Sequence, residues 1–178
     1  PERRGLEPFG AQRAILLIRN PFDVIDSYFN MTLTNTHNVT MHDSQYARFS
    51  ELFAALARAE VRVWVAFNRW WMRCPLPLLV VRYEDLVRHR NRTLRRVAWF
   101  LNGCRPIEGT PLDRAVDEAC AGDLGEAGPY RPRSGGVGSA LRRFDDELRG
   151  DIEAYARIML RNFGYDPVRQ GFPHDVTI

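Results

Sequence analysis

The stretch Ala14-Ile15-Leu16-Leu17-Ile18-Arg19-Asn20-Pro21-Phe22-Asp23-Val24-Ile25-Asp26-Ser27 decides how this chain is read. Its first five residues form an unbroken apolar run, of the length and composition of a buried strand. Asn20 then offers a side-chain oxygen as an N-cap. Pro21 suits the first helical position, where its missing N–H is not needed, and Asp23 places negative charge in the first turn. The pattern predicts a strand running directly into a helix. Such a helix start carries unpaired N–H groups and a partial positive charge, which suit an anion. Arg19 adds a planar fork of donors at the strand end. Ser27 stands one turn past Asp23 on the polar face, so Arg19 and Ser27 could grip one phosphate from two sides.

Working outward, Thr32 to Gln45 is polar and aperiodic, long for a plain connector, and reads as a functional loop. A strongly amphipathic helix follows. Phe49, Leu52, Phe53, Leu56, Val63, Phe67 and Trp70 recur at three- and four-residue spacing and are its expected core face, and Trp64, Trp70 and Trp71 read as core packing. Cys74-Pro75-Leu76-Pro77 ends it. Leu78-Leu79-Val80-Val81 is a second buried strand, leading into Arg82-Tyr83-Glu84-Asp85-Leu86. There Glu84 and Asp85 are expected to cap the next helix and pair with nearby Arg residues. A helix from about Thr93 to Leu101 turns Leu94, Val97, Ala98 and Leu101 inward, with Gly103 near its C-cap. Another starts at Thr110-Pro111 and runs to about Cys120. Gly122 to Arg143 is a basic, glycine-rich loop. The last helix, about Asp145 to Asn162, is expected to bury Leu148, Ile152, Tyr155 and Met159, and Gly164 and Pro167 stop it. No repeat, low-complexity segment or internal domain boundary is visible. Buried strands alternating with amphipathic helices predict an α/β layered fold with a parallel sheet. Ligands in such sheets bind at the carboxyl ends of strands, where both Arg19 and Tyr83 fall.

Composition narrows the function classes. The 178 residues suffice for one domain with a real core. No apolar stretch is long enough to cross a membrane, and no signal peptide is present. The chain begins at Pro1 and quickly reaches a core strand, so it reads as a piece of a longer protein whose anchor or targeting segment lies elsewhere. Every basic residue is Arg, and the net charge of +3 fits a phosphorylated ligand or an anionic glycan. Arg does not alternate with aromatics and no zinc-finger spacing occurs, which argues against nucleic acid. Cys74, Cys104 and Cys120 form no C-x-x-C pair, so structural zinc is not expected. Cys104 and Cys120 could be bridged in an oxidising compartment or remain free thiols. Sequons begin at Asn30, Asn38 and Asn91, and Asn38, in a polar loop, is the best acceptor. His37 and His42 lie in the same loop and read as exposed residues, with a base or acceptor contact as the alternative.

A third segment, Arg133-Ser134-Gly135-Gly136-Val137-Gly138 with Phe144 after it, joins the first two. A glycine-rich turn lets backbone N–H groups approach a phosphate, and Arg133 adds charge. The order R-x-P-x-D with Ser27, then Tyr83-Glu84-Asp85-Leu86, then this turn resembles the sulfotransferases that use 3′-phosphoadenosine-5′-phosphosulfate (PAPS). The variant of the late turn looks closest to the membrane-bound branch associated with WSC domains. The resemblance spans Arg19 to Phe144 and implies a P-loop-NTPase-like three-layer sandwich with a parallel sheet. It makes residues 1–178 a partial sulfotransferase domain, with the N-terminal strand and 5′-phosphosulfate loop missing. It implies that Arg19, Ser27, Arg133, Ser134 and Gly135 surround the 3′-phosphate and that Tyr83 lies near the adenine. The co-substrate would be PAPS and the acceptor a hydroxyl, on a carbohydrate, a glycoconjugate or a small molecule, with no metal. Ser134 stands where the family carries a Lys, and Ser139-Ala140 where Asp-Trp is common. No catalytic base can be named. The Golgi lumen, reached through an N-terminal anchor outside this chain, is the implied compartment, or the cytoplasm for a bacterial protein. Two other readings stay open: a non-catalytic nucleotide-binding or interaction domain, and a P-loop kinase or NTPase relative.

Overall fold

The computed structural model describes residues 10–36, 39–121 and 136–165. In chain order the elements are β1 (Ala14–Ile18), α1 (Pro21–Thr34), α2 (Asp43–Arg48), α3 (Ser50–Trp71), β2 (Leu78–Arg82), α4 (Tyr83–Arg88), α5 (Arg90–Leu101), α6 (Pro111–Ala121), a 3-10 helix (Ser139–Arg143) and α7 (Asp146–Asn162). The class is α/β: a small parallel sheet and, among the described residues, seven α-helices. The chain divides into two compact units. One comprises Pro1–Ile18 and Trp71–Ala121, the other Arg19–Trp70 and Gly122–Ile178.

The first unit is built on the sheet. β1 and β2 pair in parallel, in register from Ala14 opposite Leu78 to Ile18 opposite Arg82. The Ala14 N–H donates to the Pro77 carbonyl at 2.9 Å, which carries the pairing back one step. Residues opposite each other share a face, so Leu79 and Val81 lie on the same side as Ile15 and Leu17. Phe100 and Val97 of α5 cover that side at β2, where Leu79 and Val81 are buried. At β1 the same side is open: Ile15 is 40% exposed and Leu17 56%. The expectation that both strands are buried throughout is therefore corrected. β1 buries only Leu16 and Ile18, on the other face. A second cluster joins α5 to α6 through Ala98, Ile107 and Val116, with Leu94 and Cys120 packed on it. Phe100, rather than Leu101, takes the inward place near the end of α5, because that helix packs on two partners at once. The helix ends in left-handed backbone at Gly103 (φ 73°) and Cys104 (φ 62°). The three cysteines are free thiols, so the possible bridge between Cys104 and Cys120 is not made.

The second unit packs α1, α2, α3, the 3-10 helix and α7 around an aromatic core. Phe22 meets Phe144, Phe144 meets Phe53, and Phe53 meets Phe29, each with ring centroids 5.0 Å apart. Tyr46 closes the group at 5.5 Å from both Phe29 and Phe53. α3 departs from its expected orientation. It buries Phe53, Ala57, Val61, Trp64 and Val65, while Leu52, Val63, Phe67 and Trp70 are exposed. The helix is apolar on two opposite sides, and only one of them faces this core. The tryptophans divide accordingly: Trp64 is buried and Trp70 is exposed. On α7, Leu148, Ile152 and Met159 are buried as expected, but Ala156 replaces Tyr155, which is 52% exposed with Arg62 stacked over its ring.

The polar stretch after α1 is shorter than expected. α1 continues to Thr34, Asn35 caps it in left-handed backbone (φ 50°), and α2 starts at Asp43. Asn30 explains how this turn is held. Its side-chain N–H donates to the Val39 carbonyl at 2.8 Å, and its Oδ1 accepts from the Met41 N–H at 2.6 Å. Asn30 is buried in this role, so its sequon presents no free amide to a glycosylating enzyme. Asn38 and His37 lie outside the described residues. His42 is the N-cap of α2 in a capping box with Gln45 and Ser44, a structural task that accounts for it.

Candidate functional site

In the second unit the site is centred on the first turn of α1. Asn20 caps the helix: its Oδ1 accepts the Asp23 N–H at 2.9 Å, and the Val24 N–H donates to the Asn20 carbonyl. Pro21 has no N–H. The expectation of several free helix-start donors for an anion is therefore corrected. The helix satisfies most of them itself, and a phosphate here would depend on side-chain charge, on the helix dipole and on neighbouring backbone.

Arg19 precedes the cap and Ser27 lies in the second turn, both partly exposed. The Arg19 carbonyl accepts the indole N–H of Trp64 at 3.1 Å, which fixes the backbone from which the guanidinium leaves. Its Nη2 lies 3.5 Å from Asp23 Oδ2. The Arg19 side chain stays about one quarter exposed (26%), whereas that of Asp23 is 2% exposed. One partner of the pair thus faces solvent and the other is locked in place.

Asp23 is held from several sides. Its Oδ2 accepts from Asn20 Nδ2 at 2.8 Å and from the Gly138 N–H at 2.9 Å, and its Oδ1 accepts from the Ala140 N–H at 3.3 Å. Gly138 adopts φ 77°, a left-handed conformation that glycine takes without strain, and this turn presents the N–H groups that follow it. The described end of the glycine-rich segment therefore sits on the first turn of α1, from more than a hundred residues away in sequence. Arg133, Ser134 and Gly135 themselves lie outside the described residues.

A second set of contacts fastens the same segment one turn further along α1. Arg143 Nη1 lies 2.5 Å from Asp26 Oδ1 and 3.0 Å from the Tyr46 hydroxyl, and its guanidinium stands over the Tyr46 ring at 4.1 Å. Tyr46 donates its O–H to the same Asp26 oxygen at 2.7 Å. Burial would lower the Arg143 pKa, but the hydrogen bond and charge of Asp26 outweigh it and hold the group above its ordinary value. Arg143 is therefore a permanent cation in a half-buried setting, with Asp43 3.6 Å from its other nitrogen.

Tyr83 belongs to the first unit. It opens α4 immediately after β2 and is half-buried. Next to it Arg82 is buried and grips Asp85 with two nitrogens, at 2.8 and 2.6 Å. Asp85 thus pairs with an Arg as expected, and Glu84 is buried in the first turn of α4. Asp23, Asp26, Tyr46 and Arg143 are the residues that sequence reasoning left without a functional role. For Asp23 the signal is its place in the R-x-P-x-D string, where local sequence marks it only as first-turn charge.

Among the described residues no group of three or more His, Cys, Asp or Glu is placed to hold a metal ion, and no helix is long and apolar enough to cross a membrane. No curated protein and no solved structure matches the chain. A family model described as the sulfotransferase domain matches residues 10–119, which contain β1, the start of α1 with Arg19 and Ser27, and β2 with Tyr83. That match covers well over half of the chain, including Arg19, Ser27 and Tyr83, so the chain belongs to the sulfotransferase family, whose domain has a P-loop-like fold and whose members transfer sulfuryl groups.

Proposed function

We propose that this chain binds the 3′-phosphate end of PAPS and that the protein transfers the sulfuryl group to a hydroxyl acceptor, on a carbohydrate or glycoconjugate. The observation that carries this reading is the docking of the Gly138–Ala140 backbone on Asp23, beside Arg19. It brings the end of the late glycine-rich segment to the first turn of α1, just after Arg19 and one turn before Ser27. These are the two segments that a 3′-phosphate site of this family requires.

The residues present fit such a group. Arg19 offers a partly exposed guanidinium, oriented by Asp23 and anchored through its carbonyl by Trp64. Ser27 adds a hydroxyl on the same helix. Arg133 and Gly135 supply charge and backbone approach in this reading, and Tyr83 the adenine contact. When bound, PAPS supplies an activated sulfuryl group for in-line displacement by the acceptor oxygen. Arg19, Ser27 and Arg133 make no bond to sulfur. They hold the nucleotide, distinguish it from nucleotides lacking a 3′-phosphate, and so fix where the sulfur lies. The mildly basic, all-Arg composition is compatible with an anionic glycan as acceptor. The membrane-bound branch and the Golgi lumen, through an anchor outside this chain, complete the reading. Glycosylation at Asn38 in a luminal expression host is the check on that compartment.

Thermal melts with adenosine 3′,5′-bisphosphate, with ADP as control, test the nucleotide. The expected result is a rise in melting temperature specific to the 3′-phosphate. Arg19→Ala should abolish it, because a charge-assisted contact contributes roughly 1.5–3 kcal/mol. A melt that responds equally to both nucleotides would refute the reading.

A further inference from the structure

We infer that Asp23 is a positioning residue for nucleotide selectivity: one buried carboxylate on which both arms of the phosphate clamp rest. This rests on the 3′-phosphate reading above and names the group that assembles that site. A carboxylate beside a phosphate-binding Arg repels the ligand, and a 2% exposed carboxylate loses its hydration. Such a group persists only where its oxygens are occupied by donors, and here they are. Asn20 Nδ2 and the Gly138 N–H bind Oδ2, the Ala140 N–H binds Oδ1, and Arg19 Nη2 stands 3.5 Å away. Two of these donors are backbone groups of the late segment, so they fix its path independently of side-chain identity. The ion pair fixes the direction of Arg19. The same carboxylate therefore sets the separation between Arg19 and the backbone at Gly138 and Ala140.

The second fastening, Arg143 on Asp26 and Tyr46, bears on the segment alone and not on Arg19. It provides an independent way to loosen the arm. Asp23→Asn keeps one acceptor oxygen but turns an N–H₂ group toward either Gly138 or Ala140, whose N–H groups would then meet a donor. Arg143→Gln releases the far end of the 3-10 helix and leaves Asp26 bonded to Tyr46.

The test is calorimetric binding of adenosine 3′,5′-bisphosphate and of adenosine 5′-monophosphate to the full chain, wild type and each variant, with melts to verify folding. Asp23→Asn should weaken the bisphosphate about tenfold or more and leave the monophosphate within about twofold, as expected for charge-assisted hydrogen bonds serving the 3′-phosphate alone. Arg143→Gln should produce the same selective loss to a smaller degree, and Asp23→Glu, which keeps the charge but displaces both oxygens, decides the matter if Asp23→Asn does not fold. Equal losses for the two nucleotides, or none, in the folded variants would overturn the assignment of Asp23 while the wild-type preference stands. A wild-type chain without preference for the bisphosphate would overturn the 3′-phosphate reading, and this inference with it.

Discussion

Glu153 lies half-buried on α7, one turn after Arg149, and burial raises its carboxyl pKa above the ordinary value of 4.5 by more than Arg149 lowers it. At neutral pH both the folded and unfolded chains carry the charge, and folding bears its desolvation cost. As pH falls through the raised folded pKa, the folded chain takes up the proton first and the cost fades. Below about 4.5 it is gone. Glu153→Gln should therefore raise the melting temperature at pH 7 and leave it unchanged in acid, and melts across that range would check the sign. Such a residue shows why single positions were unevenly legible. Asn20 and Pro21 act over one or two residues, and their roles follow from the string itself. Asp23 and Asn30 do as much for the site and its flanking turn, but their partners are Gly138 and Ala140 in one case and Val39 and Met41 in the other. No local pattern marks an aspartate as the acceptor for backbone a hundred residues away.

The helices and strands were mostly legible because their signals are periodic and capped, yet periodicity did not determine which side of a helix is covered. α3 repeats apolar residues on two opposite faces, and the stripe at Leu52, Val63, Phe67 and Trp70 is as apolar in sequence as the one that is buried. Contacts between elements made the choice, and two of these can be tested. α6 is fixed to α5 by Arg95, which binds both Asp113 and Asp117, while Asp113 Oδ2 accepts the Gly109 N–H at 2.9 Å. The Gly109 bond, then Arg95, hold the Asp113 pKa below its ordinary 3.8. This stabilisation is complete above that value and is lost as pH falls through the lowered one. Asp113→Asn should lower the melting temperature at pH 7 and converge with wild type in strong acid. The 3-10 helix is fixed by Phe144, which meets Phe22 and Phe53 edge-on or tilted at 5.0 Å. Phe144→Ala should cost about 3–5 kcal/mol in a denaturant titration, the range for truncating a core Phe. It should also weaken 3′-phosphate selectivity, since the ring lies just after the segment that Asp23 holds.

Among the described residues, both the sheet and α3 carry exposed apolar side chains. Parallel sheets are normally covered on both faces, but the face that α5 covers at Leu79 and Val81 is open at Ile15 and Leu17. In the other unit, Val63, Phe67 and Trp70 are each more than half exposed along one side of a 22-residue helix. Scattered exposed apolar residues are ordinary, but contiguous ones mark surface that is normally covered or that drives association. The α/β class was legible, and its strand–helix junction was legible to the residue. How much of each element is covered was not, because coverage is a sum over elements rather than a property of any one. At moderate concentration the 178-residue chain should therefore bind a hydrophobic fluorescent dye while folded and self-associate, as read by concentration-dependent sedimentation. Leu52→Glu with Val63→Glu should reduce both signals with little change in melting temperature, because neither side chain contributes to the buried face of α3. A chain that stays monomeric and dye-free at high concentration would contradict the exposure of this helix face. A double variant that melts far below wild type would show instead that Leu52 and Val63 are packed.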